Sequence, residues 1–410
     1  MADLHSMDSV LDEIFASYMR VKSLHMGKYD RDFRTPRHLI SLARDLGVLP
    51  PSERTIRVTG SKGKGTTSRL IASYLHKTLP GEKVGLLVSP EEFTHLDRIQ
   101  IDGEPIPEET FIAIYNGLRP HLHTLLKAAG EHGYLSPSGV FMLIALMWFR
   151  RESVDHYVLE TGRGAKFDEV GQIGSAISVV TSIFLEHAAN LGPSLTDIAA
   201  DKLSISNSSG LLVCPTELQS RFSAFIHADV ADLESMRENA ALPFWLASND
   251  QLARTAACAY LTRHDRHRPI SEIEVKSPSF LWANAYGCKV LLEAIISASS
   301  ADERLYTGQF KGKNAHALVS LPDDKDRDHL LKLWQQYGLR CAEVALSGTR
   351  GYLHYTKTKA SSDFLAEIAF DASDVMHKVI KEYITTHKPE VLYLAGTQTY
   401  VRLVKQALHQ

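Results

Sequence analysis

Residues 60 to 67 carry glycines, lysines and hydroxyl groups at a spacing that suits the binding of phosphates. Glycine lets the backbone approach a phosphate closely because it has no Cβ, and the free N–H groups at a helix start favour anions. Lys64 would reach the outer phosphates of a nucleotide, and the hydroxyl of Thr66 would hold Mg²⁺. The usual motif has four residues between its first glycine and its Gly-Lys pair. Only two residues separate Gly60 from Gly63, so the sequence predicts a shortened phosphate loop that binds a nucleotide.

A carboxylate, an imidazole and an amine follow two later apolar runs. Glu160 ends the first run, at residues 156–160, and Glu186 with His187 follows the second; Lys202 lies in the next helix-like segment. Because parallel α/β sheets bind ligands at the carboxyl ends of their strands, we expect these side chains to gather near the loop. Taken singly, each also has a structural interpretation. Glu160 could be a solvated acid, His187 a helix-capping or core histidine, and Lys202 a surface lysine. Their order and context favour one common site.

The rest of the sequence supplies the elements that would position these side chains. Strand-like and helix-like runs alternate, which is typical of a parallel sheet covered by helices. The loop itself stands between a strand-like run, residues 56–59, and a helix-like run, residues 68–75. After a polar stretch at residues 263–279, a second series of strand-like runs occupies residues 288–295, 315–321, 341–346 and 390–396.

These runs predict an α/β protein with two domains. The first, residues 1–270, would be a phosphate-loop ATPase domain with a parallel sheet, preceded by a helical segment. The second, residues 271–410, would be a smaller Rossmann-like α/β domain.

Length and charge narrow the class of protein. The chain has 410 residues and a formal net charge of −3, which argues against a protein whose main partner is nucleic acid. Its longest apolar run, residues 139–149, is too short to cross a bilayer, and the first residues lack a signal-peptide pattern. We therefore expect a cytoplasmic monomer or homodimer that acts on small molecules and binds neither nucleic acid nor membranes.

Five segments, in order, resemble the motifs of one enzyme family. They are residues 60–67, 89–90, 159–168, 181–192 and 198–205, which read GSKGKGTT, SP, LETGRGAKFD, TSIFLEHAANLG and IAADKLSI. These segments look like GTNGKGT, TSPH, LEVGLGGRLDATN, TSIxLDHxxxLG and IAxEKAGI. Those motifs are typical of the folylpolyglutamate synthase and dihydrofolate synthase family, within the Mur ligase superfamily. The likeness covers most of the first predicted domain and continues weakly to the end of the chain.

The resemblance implies a ligase that uses ATP. Such enzymes phosphorylate a substrate carboxylate and let an amine displace the phosphate, which yields an amide. By position, Lys64, His187 and Lys202 match the family's catalytic residues. The positions that match nucleotide contacts are Gly60, Ser61, Gly63, Lys64, Gly65, Thr66, Thr67, Gln251 and Glu293.

The resemblance further implies two Mg²⁺ ions. Thr66 and Glu160 would hold the first ion. Ser89, Glu160 and His187 would hold the second. Lys202 matches a lysine that the family carbamylates with CO₂, and the resulting anion would position the second ion.

Several positions depart from the family pattern. The PGR motif that begins the second domain appears as residues 278–280, and DGAHN appears as residues 293–297, where only the carboxylate of Glu293 is kept. The adenine-binding HQxxN motif keeps Gln251 but has Arg254 in place of asparagine. In the family, PGR and DGAHN bring the second domain onto the nucleotide. We therefore expect domain closure or ATP geometry to differ.

Substrate-side positions differ as well. The TSPH histidine is replaced after Ser89, and GGRLDATN has Lys166 for its arginine and Gly171 for its asparagine. We predict an amide ligase that forms an acyl phosphate and acts on a substrate other than folate, in a specialised pathway. Two alternatives stay open. One is a degenerate ligase that binds nucleotide or a partner without full catalysis, and the other is a folylpolyglutamate or dihydrofolate synthase.

Overall fold

The computed structural model describes residues 3–25, 27–131, 133–237, 242–266, 269–323, 325–347, 355 and 364–409. The chain forms two compact units. The first covers residues 1–237 and 248–275, and the second covers residues 238–247 and 276–410. The division after residue 275 falls in the polar stretch that precedes the second strand series.

The first unit is built on one seven-stranded sheet. Its strands are β1 (Thr55–Thr59), β2 (Val84–Leu87), β3 (Ile99–Ile101), β4 (Glu104–Pro105), β5 (His156–Glu160), β6 (Ile177–Val180) and β7 (Leu212–Val213). Their order across the sheet is β4-β3-β2-β5-β1-β6-β7. β2, β5, β1, β6 and β7 are parallel, whereas β3 and β4 add an antiparallel edge. The predicted parallel sheet is confirmed for five strands, and the short antiparallel extension is an addition.

Helices cover this sheet. They are α1 (Met7–Val21), α2 (Asp30–Phe33), α3 (Arg37–Asp45), α4 (Lys64–Thr78), α5 (Glu108–Ala129), α6 (Pro137–Arg151), α7 (Ala188–Leu191), α8 (Leu195–Leu203), α9 (Thr216–Phe222) and α10 (Phe244–Arg263). α6 carries the longest apolar run and is buried against α3, α5 and β2, which explains its near-continuous apolar composition. None of the helices described is long and apolar enough for a membrane span.

The strand that leads into the phosphate loop is fully buried and yet contains an arginine. Arg57, in the middle of β1, donates hydrogen bonds to the carbonyl oxygens of Gly171 and Ile205, both at 2.8 Å, and to Ser178 Oγ at 3.1 Å. These acceptors bond both terminal nitrogens of the guanidinium, whereas its Nε has no partner among the described residues. Burial lowers the pKa of Arg57 to about 9. β1 is thereby joined to β6 and to the turn after α8, the helix that carries Lys202.

The second unit is a smaller α/β unit. Its strands are β8 (Phe280–Ala285), β9 (Cys288–Ala294), β10 (Ala315–Ser320), β11 (Arg340–Ser347), β12 (Phe364–Ala369) and β13 (Val391–Gly396), in the order β12-β11-β10-β13-β9-β8. All pairs are parallel except β8 with β9. Its helices are α11 (Glu303–Gln309), α12 (Arg327–Gln336), α13 (Ser373–His387) and α14 (Gln398–Leu408). The predicted fold class, α/β with a larger parallel-sheet unit and a smaller second α/β unit, is confirmed.

Candidate active site

The phosphate loop runs from Gly60 to Gly63, between β1 and α4. Both glycines have positive φ, +145° at Gly60 and +84° at Gly63. A Cβ at Gly60 would lie 2.0 Å from Thr181 Oγ1, so a larger residue would displace the end of β6. α4 begins at Lys64, and the N–H groups of its first turn have no earlier helical carbonyl to bond. This geometry is suited to a phosphate anion.

The segment after β6 holds the loop in this conformation. Ser61 N donates to Ser182 O at 2.8 Å, and Lys62 N donates to Ser182 Oγ at 2.9 Å. Phe184 N donates to Ser61 Oγ at 3.2 Å, so the hydroxyl of Ser61 already has a role in fixing the loop. Thr181 Oγ1 donates to Lys62 O at 2.5 Å. A loop tethered in this way needs little further ordering when a ligand binds.

Two lysine side chains share one carbonyl oxygen of the loop. Lys64 Nζ donates to Gly60 O at 3.0 Å, and Lys202 Nζ donates to the same oxygen at 2.8 Å. Lys202 is only 1% exposed, and its Nζ lies 3.2 Å from Glu186 Oε1. Burial, aided by the charge of Lys64 and opposed by Glu186, lowers the pKa of Lys202 to about 8. About a tenth of Lys202 is therefore neutral at pH 7.

Glu160 lies at the end of β5 and faces the first turn of α4. A Cβ at Gly65 would lie 3.4 Å from Glu160 Oε2, and Ser89 N donates to the same oxygen at 3.0 Å. Burial raises the pKa of Glu160 to about 7, while the charge of Lys64 opposes that shift. Thr66 is buried on the same turn of α4. The structure thus brings together the carboxylate, the loop lysine and the start of α4.

His187 lies after β6, next to Glu186 and at the start of α7. It caps α7 with a φ of +50°, a backbone conformation that residues other than glycine seldom adopt. Its Nε2 lies 3.8 Å from Glu186 Oε2, and its side chain is half exposed. Partial burial of the ring, opposed by the charge of Glu186, lowers the pKa of His187. Glu186 is therefore the carboxylate that His187 and Lys202 share.

Two of the residues expected to contact the nucleotide differ in their hydrogen bonding within the protein. The side chain of Thr67 is fully buried, and its hydroxyl has no hydrogen-bond partner within the described part of the chain. Gln251 Nε2 donates to Glu234 O at 2.7 Å. Nearby on α10, Arg254 Nη1 donates to Ser235 O at 3.1 Å. The contacts of Thr67 and Gln251 with a nucleotide stay predictions.

Glu293 lies in the second unit, near the end of β9. It is 1% exposed. Trp245 Nε1 donates to its Oε1 at 3.1 Å, and the hydroxyl of Tyr393 donates to its Oε2 at 2.5 Å. These bonds compensate the burial of the carboxylate within the unit. A contact between Glu293 and a nucleotide stays a prediction.

The donors present suit one Mg²⁺ ion better than a closed metal cage. Among the residues that the structure describes, no group of three His, Cys, Asp or Glu side chains is arranged to hold a metal ion. Mg²⁺ is usually held by one or two carboxylates, while water and phosphate oxygens complete its shell. Thr66 and Glu160 fit that pattern at the start of α4. The second set, Ser89 and His187 together with Glu160, stays a prediction.

An ion cluster beside the site was not anticipated from the sequence. The side chain of Arg34 is 5% exposed, and its guanidinium lies 3.3 Å from Asp168 Oδ2, 3.2 Å from Glu169 Oε2 and 3.5 Å from Asp30 Oδ2. Arg163 pairs with Asp30 as well. The carboxylates raise the pKa of Arg34 despite its burial. Arg34 is 134 residues from Asp168, and no local pattern marks the pair.

A narrow cleft joins this cluster to the phosphate-loop side of the sheet. Its polar lining consists of Ser89, Arg98, Ser138, Glu160, Asp168 and Glu169. Gly162 N donates to Asp168 Oδ2 at 3.1 Å, and Arg98 Nε donates to Glu91 Oε2 at 2.8 Å. The cleft therefore connects Ser89 and Glu160 with the wall that Arg34 stabilises.

Sequence comparisons find similar proteins over part of the chain. A dihydrofolate synthase/folylpolyglutamate synthase of Bacillus subtilis (strain 168) is 33% identical over 153 residues, which are 37% of this chain and 35% of that protein. The protein of the same description from Escherichia coli (strain K12) is 32% identical over 164 residues, 40% of this chain and 36% of that protein. The matched part thus spans about a third of these curated relatives. No protein-family model matches the chain.

Solved structures share the fold over nearly the whole chain. A folylpolyglutamate synthase of Mycobacterium tuberculosis complexed with ADP and AMPPCP has a TM-score of 0.73 and 18% identity, covering 97% of this chain and 99% of that one. The enzyme of Thermotoga maritima has a TM-score of 0.70 and 18% identity, covering 99% and 98%. At such identity the likeness shows the fold alone. Together, the two kinds of comparison confirm the resemblance to the folylpolyglutamate and dihydrofolate synthases.

Proposed function

We propose that this chain is an ATP-dependent carbon–nitrogen ligase of the folylpolyglutamate and dihydrofolate synthase type. The observation that carries the proposal is the placement of Glu160 against the first turn of α4, beside Lys64 and the tethered glycine loop. A phosphate loop alone supports nucleotide binding. A buried acid and two lysines at the same sheet edge support the transfer of a phosphoryl group, because that reaction depends on positioned charge.

The proposed reaction has two steps. ATP binds with its phosphates along Gly60–Lys64, and an oxygen of the substrate carboxylate attacks the γ-phosphorus, so that ADP leaves and an acyl phosphate forms. The nitrogen of a neutral amine then attacks the acyl carbon and loses a proton. The carbon–oxygen bond to phosphate breaks, inorganic phosphate leaves, and an amide remains. Lys64 stabilises the charge on the phosphoryl group during its transfer.

The residues that would hold metal ions are part of the same proposal. Thr66 and Glu160 would hold Mg²⁺, which reduces the negative charge of the phosphates when bound. Ser89, Glu160 and His187 would hold a second ion. The neutral amine of Lys202 would react with CO₂, forming a nitrogen–carbon bond and releasing one proton. A pKa of about 8 supports that reaction, since only the neutral amine is a nucleophile.

Folate-type substrates are the first to test. The relatives in Bacillus subtilis and Escherichia coli are dihydrofolate and folylpolyglutamate synthases, and one solved structure of this fold is an AMPPCP–folate complex of folylpolyglutamate synthase. These similarities support the folate alternative better than the non-folate substrate expected from the altered motifs. The degenerate-ligase alternative has one observation in its favour. Glu293, the carboxylate kept from the second-domain motif, is already bonded to Trp245 and Tyr393.

The proposal is tested by measuring ADP release from the purified chain with ATP and Mg²⁺. Dihydropteroate and tetrahydrofolate are each supplied with glutamate, and a panel of other carboxylates and amines follows. We expect ADP release that requires both the carboxylate and the amine, and that disappears in Lys64→Ala. A chain that binds ADP but releases none with any pair supports the degenerate alternative. A chain that binds no ADP overturns the proposal.

A further inference from the structure

The carboxamide of Asn249 packs on the phosphate loop, although Asn249 lies outside all the motifs described above. It belongs to α10, and only 6% of the residue is exposed. A Cβ at Gly63 would lie 2.4 Å from Asn249 Oδ1 and 2.8 Å from its Nδ2. The amide thus occupies the space where any other residue at position 63 would place its side chain.

The side-chain amide of Asn249 differs from the polar side chains next to it on α10, because it has no hydrogen-bond partner among the described residues. Asp250 accepts a hydrogen bond from the hydroxyl of Tyr74 at 2.5 Å, and Gln251 donates to Glu234 O at 2.7 Å. For Asn249, no partner is found among the residues described in the structure. The residue keeps 6% of its surface accessible, so water or a ligand can supply the missing bonds. Asn249 therefore offers its amide to a ligand at the loop.

The position also indicates the kind of ligand. Gly63 is the residue before α4, with φ at +84°, and the N–H groups of the following turn favour an anion. Asn249 Nδ2 carries two N–H donors, and a phosphate oxygen accepts only. We propose that Asn249 Nδ2 donates a hydrogen bond to a phosphate oxygen of the nucleotide. This inference rests on the nucleotide site of the proposed function and adds a specificity-determining residue to it.

The substitution Asn249→Asp discriminates between two ways in which the amide could bind a ligand. Aspartate has nearly the same shape, keeps the acceptor oxygen and loses both donors, while it adds a negative charge. A donor to phosphate is therefore replaced by a group that repels phosphate. An acceptor from a ribose hydroxyl would be kept.

The experiment is isothermal titration calorimetry of the full chain with ADP and Mg²⁺. We expect Asn249→Ala to weaken ADP binding by about tenfold or more, as for the loss of one bond to a charged group. Asn249→Asp should weaken binding further. The control Asn207→Asp makes the same charge change at an exposed residue of the first unit and should leave the affinity unchanged. Thermal unfolding without ligand checks that each variant is folded.

Affinity of Asn249→Asp within twofold of the wild type overturns the inference, and so does the same result for Asn249→Ala. A wild-type chain that binds no ADP overturns it as well. A wild-type chain that binds ADP and is weakened by both variants, but forms no amide with any substrate pair, supports Asn249 and contradicts the ligase. A chain that binds no ADP therefore overturns both proposals, whereas each of the other outcomes overturns only one of them.

Discussion

Replacing Lys202 with methionine tests whether this lysine is kept for chemistry or for stability. Methionine is similar in length and apolar, so it fills the buried space without a charge. The change removes the hydrogen bond from Nζ to Gly60 O at 2.8 Å and the ion pair with Glu186 at 3.2 Å. Glu186 keeps contact with solvent through a side chain that is 20% exposed, so it is not left as a fully buried charge.

The expected change in the free energy of unfolding of Lys202→Met follows from the pKa of Lys202. Burial lowers it from 10.5 to about 8, and this difference corresponds to about 3 kcal/mol by which the fold disfavours the ammonium. Between pH 8 and 10.5 the unfolded chain holds this proton more tightly than the folded chain, so the stability contribution rises with pH across that window. Below pH 8 the full cost is present. At pH 7 we therefore expect Lys202→Met to be as stable as the wild type or more stable, by at most about 3 kcal/mol.

Urea unfolding at pH 7 and 9.5 measures the effect of Lys202→Met on stability, and ADP release measures its effect on turnover. We expect the advantage of Lys202→Met to shrink at the higher pH, and turnover to fall by about two orders of magnitude or more. Lys127→Met, at an exposed position of α5, serves as the matched control and should change neither quantity. Near-normal turnover by the folded variant would refute a catalytic role. A loss of more than about 1 kcal/mol at pH 7 would refute the electrostatic argument.

Three further predictions concern the loop and the ion cluster. Lys64→Ala should lower turnover about 100-fold or more without changing the unfolding temperature, and a folded variant with ordinary turnover would contradict the mechanism. Arg34→Met should lower the free energy of unfolding by about 3–5 kcal/mol in urea titrations, because it leaves Asp168 and Glu169 without their cation and Asp30 with Arg163 alone; a loss below about 1 kcal/mol would be inconsistent with that role. Burial raises the pKa of Glu169 from 4.5 to about 7, so native stability should fall as pH rises through that window. Glu169→Gln should remove this fall when unfolding is compared at pH 5 and 7.5, and an unchanged pH profile would argue against it.

The parts of the site that follow local rules could be predicted from the sequence. The strand, the glycine loop and the helix are adjacent in the chain, so their arrangement depends on short-range geometry. Glu160 and Lys202 were expected near the loop because parallel strands end at one sheet edge, and both do contact its surroundings. The helix after the loop begins earlier than its apolar pattern indicates, at Lys64 rather than at residue 68, because the polar first turn adds no periodic signal.

The residues that the sequence did not reveal are joined to the site by long-range contacts. Arg34 meets Asp168 and Glu169 only after folding, and nothing in the sequence near position 34 marks an arginine that will be buried. Arg57 breaks the apolar pattern of β1, yet it is buried because backbone carbonyls from distant segments surround it. Asn249 faces Gly63 from a helix that has its own local pattern. Such contacts depend on tertiary packing, which single-sequence periodicity does not contain.

The charge of Glu186 would limit the proposed carbamylation of Lys202. Lys202 Nζ lies 3.2 Å from Glu186 Oε1, so the ammonium is paired in the structure as it stands. A carbamate on that nitrogen would place two anions side by side, which costs about 4 kcal/mol for charges about 4 Å apart at an effective dielectric constant of about 20. A divalent cation held near both anions would offset that repulsion. We therefore propose that a carbamate on Lys202 would form only when a divalent cation lies close enough to Glu186 to offset the repulsion between the two anions.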